Sequence, residues 1–335
     1  MLALTFTAAL LTLVPLAVIA QPPPPPNLPP GPAIALNSDR YPTVTDHHCL
    51  ALVCNYINTN GMIRDQSPNL VANKRGRRRA IGCGGITNCR TRTTGMSCDE
   101  IAYASTYSGG LGCYAADYLA TGGVMADLPP LGTHRCVDAD QNSGHGSAVD
   151  QFYQLANVGD GVVFYFTFLI PPNGCLNAAS TYCRRMFNIA NGNGGGDTYA
   201  NICQDGLADG TQFAGIVTSQ RTRGQRCPSR GYGPANITSS EDESTDSFQE
   251  EEDYGLAGNI TVTPGPEPSL TDQVYQLSSG RFIWSPFHNN GTLALGDPVV
   301  IQGNDTDTEV SQETIVAAGR FGDLFGSDSL PDCPT

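Results

Sequence analysis

The residues best suited to chemistry are two adjacent acids, Asp99 and Glu100, in the short segment 98–105. A carboxylate can take a proton from water, and it does so better when burial or a neighbouring charge raises its pKa. Further along the chain, residues 141–147 form a polar, glycine-spaced stretch that is rich in oxygen ligands. Together the two segments predict hydrolysis by a carboxylate base beside a bound divalent metal ion.

Four polar residues in these segments are the main candidates for a role in a site; they are Asp99, Glu100, Gln141 and Asn142. Neighbouring side chains on a strand face opposite sides, so only one of the two acids is expected to point into a site. Asn142 and Gln141 are the candidate metal ligands, because magnesium prefers oxygen ligands and keeps several waters. The ordinary alternative for Asp99 and Glu100 is a solvated acidic pair.

The histidines are predicted to be less important. His145 stands between two glycines, and such a histidine is more often an exposed loop residue than a base. His47 and His48 could bind a metal, but a pair on a helix surface followed by Cys49 is the simpler interpretation.

The segment 74–79 is a basic cluster that contains Arg77, Arg78 and Arg79. Such a cluster can contact phosphate groups, which adds affinity that depends on salt but not on nucleotide sequence. A dibasic processing site and a solvated loop are the alternatives. No aromatic residues interleave with the basic ones, so a dedicated surface for single strands is not indicated.

The N-terminal residues and the cysteines indicate export. Residues 1–20 are apolar or small and are expected to be a cleaved signal peptide, with a membrane anchor as the alternative. A proline-rich spacer follows at 21–33. The twelve cysteines are read as disulfides whose pairing the sequence leaves open. Zinc is disfavoured because no Cys-x-x-Cys pair occurs.

Charge divides the chain into a front domain and an acidic tail. The net charge is −14, but 16 of the 18 Lys and Arg precede residue 231, whereas 18 of the 32 Asp and Glu follow it. A nucleic-acid partner is therefore compatible with the front domain. Four sequons in the tail predict N-glycosylation. They lie at Asn236, Asn259, Asn290 and Asn304.

The predicted domain order follows from composition. A compact domain is expected over 34–230, an acidic disordered linker over 231–272, and a C-terminal tail or small module over 273–335. Within the compact domain we predict a helix over 41–57 and a buried strand over 162–170. A further helix is expected over 147–156 with Ser147 as its cap. The mixture predicts an α+β fold.

Several blocks of this chain, in order, resemble the secreted deoxyribonucleases of the NucA/NucB family. The resemblance covers about residues 37–168, under half of the chain. The blocks are Ser38–Pro42, the arginines 77–79, Asp99-Glu100 followed by Gly109-Gly110, Asn142–Ser147, and Asp160-Gly161 before the final strand.

The resemblance implies a fold, a reaction and roles for the residues. The fold would be a small, disulfide-rich α+β domain related to the His-Me finger nucleases, with a largely disordered acidic C-terminal extension. The protein would be an endonuclease that cleaves DNA with a divalent metal, Mg²⁺ or Mn²⁺. Asp99 would be the general base, with Glu100 in support. One departure is Gln141, where the family has an acid; Asp140 could replace it through a register shift.

The leading hypothesis is therefore a secreted, metal-dependent, nonspecific deoxyribonuclease with DNA as its partner. No membrane association is expected after leader removal, and no protein partner is evident. Two alternatives stay open. One is a catalytically weakened relative that binds nucleic acid or another polyanion, and the other is a structural cell-surface glycoprotein.

Overall fold

The structure is a computed structural model of the chain. It describes residues 30–53, 61–68, 70–71, 74, 77–78, 83, 89, 95–107, 133–208, 217–218, 272–286, 293–303 and 310–325. The predicted signal peptide, the four sequon asparagines and all of the predicted linker except Asp272 lie outside these residues. The helices are α1 (Pro42–Val53), α2 (Ala139–Leu155), α3 (Thr181–Ala190), α4 (Tyr199–Ala208) and α5 (Phe321–Phe325). The α+β prediction agrees with this mixture of helices and strands.

The described residues also form ten strands. They are β1 (Ala33–Leu36), β2 (Gly61–Ile63), β3 (Met96–Ile101), β4 (Thr133–Asp138), β5 (Val163–Ile170), β6 (Val217–Thr218), β7 (Gln273–Leu277), β8 (Phe282–Trp284), β9 (Pro298–Ile301) and β10 (Ser311–Arg320). Seven of them form one sheet in the order β1-β9-β10-β7-β8-β5-β2. Because β1 also pairs with β5, six of these strands form a closed ring.

The predicted buried strand over 162–170 is confirmed as β5, and it forms the centre of the core. Every residue of β5 is buried. Phe164, Phe166 and Phe168 pack in a cluster with the helices, whereas Tyr165 and Leu169 join a second cluster that contains only strand and loop residues. A strand that is buried on both faces reads as a continuous apolar run, which explains the sequence signal.

The C-terminal strands are part of this sheet, whereas the sequence suggested a tail or a small module. β9 runs parallel to β1, with Ala33 opposite Val299. β8 pairs antiparallel with β5, with Phe168 opposite Trp284. Strand pairing between segments so distant in sequence is not visible from composition, because the apolar content of this region fits a separate module equally well.

The helix predicted over 41–57 is confirmed as α1, and it is enclosed on nearly all sides. Ten of its twelve residues are buried. It contacts α3, α4, α2, β3 and β4. A disulfide joins Cys49 to Cys183 of α3. Asp46 accepts hydrogen bonds from the backbone N–H groups of Tyr182 and Cys183, so it satisfies donors in the first turn of α3.

A second sheet contains the two predicted acids. β3 pairs antiparallel with β4, and β4 pairs with β6. Two disulfides attach the preceding segment to this hairpin; they are Cys83–Cys98 and Cys89–Cys136. All eight cysteines among the described residues are in disulfides, which confirms that prediction for this part of the chain.

The prediction of a polar loop at 141–147 with Ser147 as a helix cap is wrong. α2 begins directly after β4, and the Asp138 side chain caps it by accepting from the backbone N–H groups of Asp140 and Gln141. The Ser147 hydroxyl donates to the Ser143 carbonyl inside the helix. A strong cap and tertiary packing outweigh the cost of two helical glycines, which is about 1 kcal/mol each.

The two glycines of α2 give a first test of this packing. A Cβ on Gly144 would lie 2.8 Å from the ring of Tyr41, whereas a Cβ on Gly146 would meet no atom within 4 Å. We expect Gly146→Ala to raise the free energy of unfolding by about 0.5–1 kcal/mol through helix propensity. Gly144→Ala should lower it by about 1–2 kcal/mol through overpacking.

Urea unfolding followed by circular dichroism measures both variants against the unaltered chain. The two substitutions are identical and lie in one helix, so each serves as the other's control. Equal stabilisation by both alanines would contradict the packing of Tyr41 against α2.

Candidate active site

Asp99 and Glu100 lie side by side on β3 but have different surroundings. Asp99 is buried, with 4% of its surface exposed, whereas Glu100 is partly exposed. Asp99 contacts His47 of α1, and Glu100 lies near Arg78, with the Oε1 and Nε atoms 3.4 Å apart. The two acids therefore differ in partner as well as exposure, as the alternation of side chains along a strand predicts.

The Asp99 carboxylate forms a short hydrogen bond with His47. Nδ1 of His47 lies 2.7 Å from Oδ2 of Asp99. His47 is fully buried, and burial, helped by the positive charge of Arg135, holds the pKa of His47 well below its usual value. His47 is therefore neutral at pH 7, and its Nδ1–H can donate to an ionised Asp99.

Burial raises the pKa of Asp99 to about 7. A proton added to His145 would act in the opposite direction, as do the backbone N–H of Glu100 and the charge of Arg78, but burial prevails. A carboxylate whose pKa lies near neutrality is well suited to accept a proton at physiological pH. A carboxylate needs such a rise to act as a general base, and burial is its cause here rather than the charge of Glu100.

Glu100 also has a pKa raised to about 7, chiefly by burial. The positive charges of Arg78 and Lys74 oppose this rise. Because 18% of the Glu100 side chain is exposed, solvent screens these interactions more strongly than at Asp99. Glu100 therefore lies on the more solvent-exposed side of the β3–β4 pair, next to Arg78 of the basic segment.

The expectation that His48 lies on a helix surface is wrong, and the same holds for His47. Both are fully buried because α1 is enclosed by sheet and helices. Nδ1 of His48 lies 2.9 Å from the Val44 carbonyl, which can only accept, so Nδ1 carries the proton. Nε2 lies 2.9 Å from the Tyr103 hydroxyl and accepts from it. His48 thereby orients Tyr103.

His145 is also buried, with 3% of its surface exposed, so the expectation of an exposed loop residue is wrong. It lies on α2, and its Nδ1 is 2.6 Å from the side-chain nitrogen of Gln302. Its ring packs against those of Tyr41, His48 and Tyr103. Because α2 begins at Ala139, His145 belongs to a packed helix and lies on its buried side.

Gln141 lies near the hairpin but is occupied by a structural contact. Its side-chain oxygen accepts from the backbone N–H of Thr43 at 2.9 Å and from the Thr43 hydroxyl at 2.8 Å. These bonds satisfy a donor in the first turn of α1 and join α1 to α2. The oxygen that was predicted to bind a metal is thus directed at the helix end.

Asn142 lies against β3, at the two residues that precede Asp99. Its side-chain nitrogen donates to the Ser97 hydroxyl at 2.9 Å and to the Cys98 carbonyl at 3.0 Å. These two bonds use both amide hydrogens, so they orient the amide and leave its oxygen on the other side. Of the two predicted ligands, Asn142 is the one whose oxygen can be offered to a cation.

The three predicted phosphate-binding arginines do not share one environment. Arg77 is fully buried, and its guanidinium lies 2.6 Å from the Asp65 carboxylate. It also donates to the Ala104 carbonyl at 3.1 Å. The prediction that Arg77 contacts phosphate is therefore wrong, because a buried ion pair within the core holds its charge. Arg78 is exposed, and Arg79 lies outside the described residues.

The described residues hold no group of three or more His, Cys, Asp or Glu side chains that could bind a metal ion together. A cation at this site would depend on amide oxygens and water, which is the ligand set that magnesium accepts. No helix in the described part of the chain is long and apolar enough to cross a membrane.

A buried carboxylate on β3 and an amide on the helix that follows β4 are thus the two predicted site residues that the structure brings to the same strand. Residues 48–167 match the family model described as Deoxyribonuclease NucA/NucB, so the predicted resemblance is confirmed over these residues. The match supports a deoxyribonuclease function with DNA as the substrate. Nucleases of this family are generally dependent on divalent metals and typically secreted. No curated protein matches the chain.

Sequence reasoning missed Tyr103 and Gln302 as members of the polar cluster around Asp99, and it assigned His47 to a helix surface. A partial signal for His47 existed, since it precedes a disulfide cysteine in an apolar helix. No pattern in the sequence linked Gln302 to the site, because more than two hundred residues separate it from Asp99.

Arg77 and Arg78 are neighbours in sequence, and they give a prediction that separates stability from binding. Arg77→Met leaves Asp65 as an uncompensated buried charge, so we expect a loss of about 3–5 kcal/mol in unfolding free energy. Arg78→Met removes a side chain that is 46% exposed. Its unfolding free energy should stay within about 0.5 kcal/mol of the unaltered chain.

Arg78→Met should instead weaken DNA binding and reduce its dependence on salt, since one phosphate contact is lost. Chemical denaturation and a salt titration of DNA binding measure the two effects. A small stability change for Arg77→Met would show that the ion pair with Asp65 is absent in solution.

Proposed function

We propose that the protein is an exported endonuclease that hydrolyses DNA phosphodiester bonds without sequence preference, with the help of Mg²⁺ or Mn²⁺. One observation carries this proposal. Asp99, a buried carboxylate whose pKa lies near 7, stands on the β3–β4–α2 unit inside the segment that matches the deoxyribonuclease family.

The order of elements supports a domain related to the His-Me finger nucleases. β3 and β4 are antiparallel, and α2 follows β4 with no intervening loop. Asp99 lies on the first strand, and Asn142 lies in the first turns of the helix. The bonds from Asn142 to Ser97 and Cys98 hold the helix against the strand beside the base.

In the proposed reaction, Asp99 takes a proton from the water that attacks phosphorus. His47 is neutral and donates through Nδ1, so it orients the carboxylate without neutralising it. The bond to His47 uses Oδ2, so Oδ1 would be the oxygen that takes the proton from the water. The pKa near 7 means that a substantial fraction of Asp99 is ionised at neutral pH and can still bind a proton effectively.

The residues fit a hard divalent cation. Asn142 would supply its amide oxygen, and water would complete most of the coordination shell. When bound, the cation would neutralise charge on the phosphate and stabilise the leaving oxygen. Gln141 is not part of this proposal, because its oxygen already accepts two hydrogen bonds from Thr43.

In this proposal Arg78 would contact the DNA backbone. It is exposed and lies beside Glu100 on the more solvent-exposed side of the β3–β4 pair. A guanidinium there would add salt-dependent affinity without reading the bases. Export is supported by the disulfides, which persist in oxidising compartments.

A second candidate function is a relative that binds nucleic acid without cutting it. The burial of Asp99, His47 and His145 favours it, since a phosphodiester must reach Asp99 for hydrolysis. The two candidates separate in one experiment. Loss of supercoiled plasmid with Mg²⁺ or Mn²⁺, abolished by chelator, would establish the endonuclease; DNA binding without cleavage would establish the second candidate.

Removal of the proposed base should abolish most of the cleavage. We expect Asp99→Asn to lower the cleavage rate by about 100-fold or more, as for other general bases. In the unaltered chain the rate should rise with pH and level off above about 7, where Asp99 is ionised. The matched control is Asp150→Asn, an exposed residue of α2, whose rate should not change.

Asp99 should also affect stability in a predictable direction. Its folded-state pKa is raised, so its favourable contribution is present below its unfolded pKa and is lost as the pH rises through about 7. Asp99→Asn should therefore become more stable relative to the unaltered chain between pH 4 and pH 8. Cleavage that survives Asp99→Asn would refute the assignment of the base.

Gln141→Glu distinguishes a structural role from a metal-binding role. A glutamate keeps both acceptor bonds to Thr43 and adds negative charge at the N-terminus of α1. We expect a gain of about 0.3–1 kcal/mol in unfolding free energy and no gain in cleavage. Gln154→Glu, on an exposed site of the same helix, is the control. A marked gain of cleavage would place residue 141 at the metal instead.

A further inference from the structure

Gln302 comes from the C-terminal part of the chain and reaches the polar cluster around Asp99. It follows β9, lies well outside the segment that matches the nuclease family, and is fully buried. Its backbone N–H donates to the Ala35 carbonyl at 3.3 Å, which continues the pairing between β9 and β1. Pairing between β9 and β1 therefore fixes the position of the Gln302 backbone.

The orientation of the Gln302 amide follows from its other partner. The backbone N–H of Asn37 lies 3.4 Å from the side-chain oxygen of Gln302. A backbone N–H can only donate, so the atom that faces it must be the oxygen. The side-chain nitrogen then faces His145, with 2.6 Å between that nitrogen and Nδ1.

This contact decides which nitrogen of His145 carries the proton. An amide nitrogen can only donate, so Nδ1 of His145 must accept and is unprotonated. Burial holds the pKa of His145 below its usual value, although Asp99 and Gln302 act in the opposite direction. The neutral ring therefore carries its proton on Nε2.

The Nε2–H group of His145 is a buried hydrogen-bond donor. Among the described residues it has no hydrogen-bond partner, although it is buried. Tyr41, His48 and Tyr103 pack against the ring and restrict its rotation. A buried donor without a partner is costly, at roughly 1–3 kcal/mol, so a retained one points to a ligand.

We propose that Gln302 is a positioning residue that holds His145 as the Nε2–H tautomer, so that His145 can donate a hydrogen bond to an oxygen of the phosphate at the Asp99 site. This proposal rests on the proposed nuclease function for the identity of the ligand. It does not rest on that function for the tautomer. The C-terminal strands are, on this view, a part of the catalytic domain that the family match does not include.

The tautomer can be measured on the unaltered full-length chain. Nitrogen-15 correlation spectra distinguish a protonated ring nitrogen from an unprotonated one, and a His145→Gln variant identifies the signals among the five histidines. We expect protonated Nε2 and unprotonated Nδ1 at pH 7. A protonated Nδ1 would overturn the proposal whether or not the protein cleaves DNA.

Gln302→Glu then tests the cause by exchanging one group. The glutamate keeps the oxygen that accepts from Asn37 but replaces the amide donor with a second oxygen. We expect the proton to appear on Nδ1 of His145. Gln312→Glu adds the same charge on exposed β10, where Gln312 pairs with Val300; it should leave the His145 signals unchanged. An unchanged tautomer in Gln302→Glu would refute the positioning role.

Cleavage kinetics of the same variants test the link to function. We expect Gln302→Glu to lower kcat by about 100-fold, because a donor to a developing charge is lost. The KM of this variant should change much less. Gln312→Glu should have the kcat and KM of the unaltered chain. Unchanged kcat beside a changed tautomer would refute the donor role. No cleavage by the unaltered chain would refute the nuclease function and with it the phosphate ligand, while the spectra would still decide the tautomer.

Discussion

The hydrogen bond between His47 and Asp99 joins α1, in which ten of twelve residues are buried, to the strand that carries the two acids. α1 can present a histidine to β3 only because sheet and helices surround it on several sides. In that dry setting the histidine stays neutral and the carboxylate binds protons more tightly. The same enclosure that stabilises the core therefore raises the pKa of Asp99 to about 7.

The site also depends on the closed ring of six strands, because this ring brings distant segments of the chain together. β5 pairs with β1 along one edge and with β2 and β8 along the other, so N-terminal and C-terminal segments meet on a single strand. Its phenylalanines face the helices, and its alternate residues face the second cluster. This frame supports His48, whose ring packs against Phe166, and it brings Gln302 beside His145.

Several buried polar groups in this core have specific partners. Asp65 pairs with Arg77, His48 bonds to Val44 and Tyr103, and Asp46 caps α3. Half-satisfied buried groups are costly. Nε2 of His47 and Nε2 of His145 are among the buried side-chain atoms that have no hydrogen-bond partner in the described part of the chain.

Local patterns in the sequence predicted several of the elements and the pair of candidate acids. Residue type and periodicity were sufficient for α1, β5, the disulfides and the placement of Asp99 and Glu100 on one strand, because these depend on local pattern. Only the tertiary structure decided which polar groups are buried and what they touch. It enclosed His47 and Arg77, turned 141–147 into a helix, directed Gln141 at Thr43, and brought Gln302 to His145. Such contacts depend on strand pairing and packing between distant segments, and no local pattern of residues encodes them.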